Sequence, residues 1–228
     1  MFHLPHFSVS AQGNEAMNGS RPVAVFDFDG TLTRKDTLLP FLRFFVGTGP
    51  FLRKMVRSSA VLVGYRVGLM PNYQVKEQVL GRFLGGAEAE KVITAGELFA
   101  DHRLQDLMDP DMDKVLSWHQ NMGHQCIIVS ASLDIYLRPW ARSRGIDNLA
   151  CTSLEVDSDG RMSGRILGQN VFGAEKVERL KRLAGKGPLR LDYAYGDSIG
   201  DREMLSLAEY PWYKGNFLKG RPPGWMEP

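Results

Sequence analysis

The chain has only two cysteines in 228 residues, which leaves no disulfide framework and no cysteine-ligated metal centre. Cys126 and Cys151 fall in apolar, strand-like runs and read as buried, reduced thiols of a cytoplasmic protein. No window of about 18 or more predominantly apolar residues occurs, so no spanning helix is expected. Residues 1–20 lack the charged start and continuous apolar stretch of a secretory signal. They are expected to form a flexible tail, in which Met17 is an alternative start and His3 and His6 have no expected zinc role. A net charge of only +2 gives no global attraction for nucleic acid. No Walker-type loop, internal repeat or low-complexity tract is present. Acids are scarce in one stretch: residues 38–82 hold Arg43, Arg53, Lys54, Arg57, Arg66, Lys76 and Arg82 against Glu77 alone.

What is there begins with Val23-Ala-Val-Phe-Asp27-Phe-Asp29-Gly-Thr31. It reads as a short buried strand ending in two carboxylates one residue apart, which alternation would place on one face. Gly30 permits a tight turn, and the Thr31 hydroxyl can orient a ligand or a carboxylate. Two carboxylates that close need a cation, a shared proton, or both.

A long helical region is expected over residues 37–107, divided by glycines, Pro50 and Pro71. Within it, Arg53, Lys54 and Arg57 share one arc of a helix, opposite Phe51, Met55, Val56, Leu62 and Val63. The ordinary explanation of such a helix is a solvated face; contact with anionic lipid or a polyanionic substrate is the sharper one. Further on, the pattern gives a helix over 111–120, a strand at 126–129, and a helix over 133–144. A strand–turn–strand unit follows over 149–167, then a helix over 173–183, a strand over 189–195 and a helix over 198–208. Alternating strands and helices imply a parallel, Rossmann-like α/β sheet with helices on both faces. Residues 21–35 and 108–228 would form that core, and 36–107 an inserted helical cap.

Ligands of such sheets bind beyond the carboxyl ends of the strands, and three strands end there in Asp27-x-Asp29, Ser130 and Asp197. Asp27, Asp29 and Asp197 make an oxygen-rich site suited to a hard divalent ion, Mg²⁺ above all. Ser130, with the backbone N–H groups of Ala131 and Ser132 at a helix start, suits phosphate and equally suits a helix N-cap. Lys176 sits in a first helical turn, where the dipole disfavours a cation; a bound phosphate, Asp197 or Asp201 would explain it. Asp201, four residues beyond Asp197, would hold Lys176 or a metal-bound water.

The order Asp27-x-Asp29-Gly-Thr31, Ser130, Lys176, Gly-Asp197-x-x-x-Asp201 resembles the haloacid dehalogenase superfamily of aspartyl phosphatases. The helical insertion resembles the phosphoserine phosphatase branch. Three stretches are most similar to the bacterial phosphatidylglycerophosphatase C group: Phe28 to Asp36 with Phe41-Leu-Arg43, Gly173 to Val177, and Pro188 to Leu191. The resemblance implies that Asp27 attacks phosphorus and that Asp29 protonates the leaving oxygen and then deprotonates water. It implies Mg²⁺ on the Asp27 side chain, the Asp29 carbonyl and Asp197, with Ser130 and Lys176 on the transferring oxygens. Asp36 matches a position near the substrate. Two departures stand out: Gly200 replaces a frequent Asn, and Arg53, Lys54 and Arg57 interrupt what is an apolar cap in the smaller group. The expected activity is hydrolysis of a lipid phosphate such as phosphatidylglycerophosphate, by a cytoplasmic protein touching the inner membrane peripherally. A soluble phosphomonoesterase of the phosphoserine type and a non-catalytic phosphate-binding module are the alternatives.

Overall fold

Val23 and Val25 face one way, Ala24 and Phe26 the other, and all four are buried. That two-sided burial places β1 (Val23–Phe26) at the centre of the sheet. The computed structural model describes residues 21–66, 72–185 and 188–225; the expected tail with His3, His6 and Met17 lies outside them. Around β1 stand β2 (Gln125–Leu133), β3 (Asn148–Val156), β4 (Met162–Leu167), β5 (Leu191–Gly196), β6 (Ala208–Tyr213) and β7 (Asn216–Phe217). The sheet order is β4-β3-β2-β1-β5-β6-β7. The five inner strands run parallel, and β4 and β7 are antiparallel edges.

The helices are α1 (Leu38–Val46), α2 (Thr48–Arg66), α3 (Asn72–Leu84), α4 (Ala89–His102), α5 (Pro110–Asn121), α6 (Asp134–Ser143), α7 (Ala174–Ala184) and α8 (Arg202–Ser206). On one sheet face Val25, Ile127 and Ala194 pack with Leu180 of α7 and Met204 of α8. On the other, Phe26, Ile128 and Tyr195 pack with Leu116 of α5 and Tyr136 of α6. This second core continues into Phe41, Leu80 and Phe99, so α1, α3 and α4 share it with the sheet. Local chemistry sets the boundaries. Asp109 accepts hydrogen bonds from the N–H groups of Asp111 and Met112, with Pro110 at the first turn of α5. Gly47, at φ +79°, separates α1 from α2.

Several expected boundaries move. Pro50 does not divide helices; it lies in the first turn of α2, where its missing N–H has no intrahelical partner to lose. Val56 is not on the inner face of that helix but 74% exposed, and the side chains of Leu62 and Val63 lie outside the described residues. The helix expected over 198–208 is a 3₁₀ turn, Ile199–Asp201, followed by the five-residue α8. Beyond it lie β6 and β7, which are absent from the expected elements; Pro211, a residue disfavoured within sheets, sits inside β6. It is tolerated next to the sheet's edge: outside it only the two-residue β7 pairs, and the Pro211 carbonyl accepts from Leu218 N–H.

Behind the sheet's centre, Phe26 stacks on Tyr195 with centroids 4.5 Å apart. The Tyr195 hydroxyl meets Nε2 of fully buried His119 at 2.7 Å, and Nδ1 of that ring meets Nδ1 of His124 at 2.7 Å. Burial, with His124 beside it, depresses His119 to a pKa of about 3. The folded chain therefore refuses a proton that the unfolded chain binds near the ordinary value, so His119 supports stability above about pH 6.5 and loses that support as pH falls toward 3. Across that window, urea unfolding of His119→Gln should show a pH slope shallower than wild type by up to about 1.4 kcal/mol per unit. Equal slopes would contradict the buried neutral imidazole.

Candidate active site

β1 ends one residue before the first acid. The N–H of Asp27 still donates to the Tyr195 carbonyl at 3.0 Å, which carries the strand direction through Asp27. The chain then turns over Phe28–Leu32, with Gly30 at φ +80°. The two acids therefore do not share a strand face, and they part company. Asp27 turns toward Lys176 at 2.6 Å. Asp29 accepts from the Thr37 N–H at 3.0 Å, the Thr37 hydroxyl at 2.7 Å and the Ser132 hydroxyl at 2.6 Å. Burial, then the charge of Asp36, raises Asp29 to about 7, against the hydrogen bonds from Ser132 and Thr37.

Lys176, in the first turn of α7, is held between two acids. Its Nζ lies 2.6 Å from Asp27 and 2.5 Å from Asp201, and all three side chains are buried. Burial works against the ammonium, but the two carboxylates outweigh it and its pKa is raised. Burial lifts Asp27 to about 6, with Lys176 pulling down and Asp201 pushing up. The other oxygen of Asp201 accepts from the N–H and hydroxyl of Ser198, at 2.9 and 2.8 Å. Half-buried Asp197 meets the Thr31 hydroxyl at 3.4 Å, and burial followed by Asp201 raises its pKa. Oxygens of Asp27, Asp197 and Asp201 lie within 4.8 Å of one another. Three carboxylates around one ammonium leave excess negative charge, and an all-oxygen donor set fits a hard divalent cation. The Asp29 side chain is not in that group.

Glycines bring these segments together. A Cβ on Gly30 would fall 2.5 Å from Asp197 Oδ2, and one on Gly196 2.5 Å from the Asp201 Cβ. One on Gly200 would fall 2.3 Å from the Phe172 ring. The Gly200 carbonyl also accepts from the Gly173 N–H at 3.0 Å, at the start of α7. At Gly200, which replaces a frequent Asn of the family this chain resembles, the backbone packs against the segment that carries Lys176.

The Ser130 segment differs from expectation. β2 continues through it to Leu133 with a register break after Val129, and α6 begins only at Asp134, so Ser130 is not an N-cap. The Ser132 N–H is not free: it donates to Ser130 Oγ at 3.2 Å. The Ser130 hydroxyl donates to Ser132 Oγ at 3.1 Å. Asp36 is exposed and accepts from the Leu38 N–H at 2.9 Å, at the start of α1. Sequence reasoning missed Thr37, Lys76 and Asn170. Lys76, from α3, donates to the Ala131 carbonyl and, at 3.1 Å, to Asn170 Oδ1. Burial lowers it to about 8, while Asp29 and Asp36 oppose the shift. Only its place in an acid-poor stretch could have drawn attention to it.

Residues 24–206 match the haloacid dehalogenase-like hydrolase family. The chain belongs to that family. Protein CicA of Caulobacter vibrioides is 35% identical over 90% of this chain and 90% of its own length. A histidinol-phosphatase of Neisseria meningitidis is 24% identical over 83% of this chain and 88% of its own. A solved phosphoserine phosphatase, a phospho-aspartyl intermediate analogue, superposes with TM-score 0.60 at 21% identity, covering 84% of this chain and 85% of that one. This haloacid dehalogenase-like hydrolase is a phosphatase, with a phosphoserine-phosphatase-like fold.

The contact of Gly200 with Phe172 has a measurable cost of disruption. Gly200→Ala should lower unfolding free energy by about 1–3 kcal/mol through overpacking. Adding Phe172→Leu should restore part of it. Additive losses in urea titration would mean the two residues do not oppose each other.

Proposed function

We propose that this phosphatase is Mg²⁺-dependent, forms an aspartyl-phosphate on Asp27, and acts on a lipid phosphate at an anionic membrane surface. The observation that carries the chemistry is the buried Lys176 ammonium between Asp27 and Asp201. It favours the ionised Asp27 needed for attack and supplies positive charge beside the incoming phosphoryl group. An Asp27 oxygen attacks phosphorus, the P–O ester bond breaks, and Asp29 gives its proton to the departing alkoxide. Water then attacks the same phosphorus, Asp29 takes its proton, and inorganic phosphate leaves with Asp27 restored. An Asp29 pKa of about 7 suits a group that must do both near neutral pH. Asp27, Asp197 and the Asp29 carbonyl would hold Mg²⁺, with Asp201 behind them engaging Lys176. Bound there, the ion would offset negative charge on the transferring oxygens. Thr31 would steady Asp197; Ser130, Ala131 and Ser132 would line the phosphate site with their hydroxyl chain to Asp29 kept, and Asp36 would lie near the leaving group.

The lipid reading draws support from α2. Leu52 and Val56 are 58% and 74% exposed, one helical turn apart, beside exposed Arg53 and Arg57. Apolar side chains rimmed by cations on one helix suit an anionic bilayer surface. Among the described residues no helix is long and apolar enough to cross a membrane. The proposed contact is peripheral, at the inner membrane's cytoplasmic side. In this reading α1–α4 form a cap over the site. A soluble phosphomonoester of the phosphoserine type is the second reading, favoured by the phosphoserine-phosphatase-like fold.

Rates with Mg²⁺ on vesicles carrying phosphatidylglycerophosphate, measured beside phosphoserine, histidinol phosphate and other soluble phosphomonoesters, separate the two. Vesicle substrate should be preferred, EDTA should abolish turnover, and Arg53→Glu/Arg57→Glu should reduce vesicle turnover by about thirtyfold or more, at about 1 kcal/mol lost per cation. Soluble turnover should be unaffected. Strong preference for one soluble ester, or vesicle turnover indifferent to the charge reversal, would displace the lipid reading.

A further inference from the structure

The Ala131–Ser132 peptide lies where β2 loses its register with β3, between Val129 and Leu133. Without the regular ladder, its orientation must be fixed by other partners. Both ends are held. The carbonyl of Ala131 accepts from Lys76 Nζ, reaching over from α3. In a trans peptide the following N–H points the opposite way, and Ser132 N–H donates to Ser130 Oγ at 3.2 Å. The chain continues in one direction: the Ser130 hydroxyl donates to Ser132 Oγ at 3.1 Å, and the Ser132 hydroxyl donates to Asp29 at 2.6 Å. Each hydroxyl gives one proton and accepts one, so every link has a consistent donor. Lys76 has a second anchor. Asn170 Oδ1 accepts from it at 3.1 Å and from the Thr152 hydroxyl at 3.1 Å, which ties the ammonium to the segment before α7.

We propose that Lys76 is a positioning residue, through which α3 orients the Ser130–Ser132 hydroxyl chain that aims the Asp29 carboxyl at the leaving oxygen. With the ammonium gone, the Ala131 carbonyl loses its charged donor and the peptide is free to rotate. The Ser132 N–H then leaves Ser130, Ser130 leaves Ser132, and Asp29 loses the partner that fixes its Oδ2. The Thr37 contacts to the other oxygen remain, so the carboxyl keeps its place but not its aim. The same link makes proton delivery depend on α3 being seated on the rim. This inference rests on the role of Asp29 proposed above.

Leaving-group dependence tests it. An alkyl phosphomonoester needs a proton on its departing oxygen, whereas p-nitrophenolate leaves without one. Since kcat/KM covers the steps through departure of the leaving group, the ratio of alkyl to p-nitrophenyl kcat/KM isolates proton delivery. Lys76→Met should lower that ratio by about ten- to a hundredfold, the scale of one lost hydrogen bond to a charged group. Lys76→Arg should recover part of it. Ser132→Ala should lower the ratio similarly, and the double variant should fall no further, as expected within one network. Should Lys76→Met not fold, Lys76→Gln is measured in its place, with the same fall expected. A parallel loss on both esters, or no loss on either, would overturn the inference, because a purely structural lysine has no reason to discriminate leaving groups. Asp29→Asn separates the two levels: if it discriminates and the Lys76 variants do not, only the Lys76 inference fails; if it does not discriminate, the role of Asp29 fails and this inference with it.

Discussion

A single buried ammonium organises the site. Lys176 lies within hydrogen-bond distance of Asp27 and Asp201, and its charge offsets the cost of burying two carboxylates side by side. The three residues come from the loop after β1, the start of α7 and the turn after β5. Their ion pairs therefore tie distant segments through one charge. Still, one cation does not balance three acids, since Asp197 lies in the same cluster. That residual negative charge suits a hard cation, which in the proposed mechanism brings the phosphoryl group with it.

Backbone proximity sustains the charge arrangement. Gly30 lets its loop approach Asp197, Gly196 lets β5 end against Asp201, and Gly200 lets that turn lie against Phe172. A side chain at any of these points would push apart groups that electrostatics needs close. The second acid is managed differently. Asp29 is surrounded by hydroxyls and an amide rather than by an ammonium; burial and then Asp36 raise it to about 7 against those hydrogen bonds, whereas Lys176 pulls against the burial that raises Asp27. In the proposed mechanism the two carboxylates take separate duties, which these different surroundings suit.

Much of this was legible in the sequence because strand ends, glycine turns and acids are local signals. The central strand, the parallel sheet and the placing of Asp27 and Asp197 at strand ends follow from where apolar runs stop, while Lys176 stands out by its place in a first helical turn and Asp201 by its spacing from Asp197. The rest depends on tertiary partners. Val56 satisfies a helical pattern yet faces solvent, because α2 packs through Phe51 and Met55. Ser130 looks like a helix cap, but the extended backbone runs on to Leu133. Pro211 sits inside β6, harmless there beside a short outer neighbour. Lys76 reaches the rim from a helix whose placement no local pattern specifies.

The central claim is that Asp27, held by Lys176, carries the phosphoryl group between substrate and water. The most direct measurement is a rapid acid quench of enzyme mixed with substrate bearing a radiolabelled phosphate, followed by proteolysis. The account predicts transient label, approaching one phosphate per chain, confined to the peptide containing Asp27 and lost in Asp27→Asn. Full turnover with no protein-bound label at any time, or label on another residue, would contradict it.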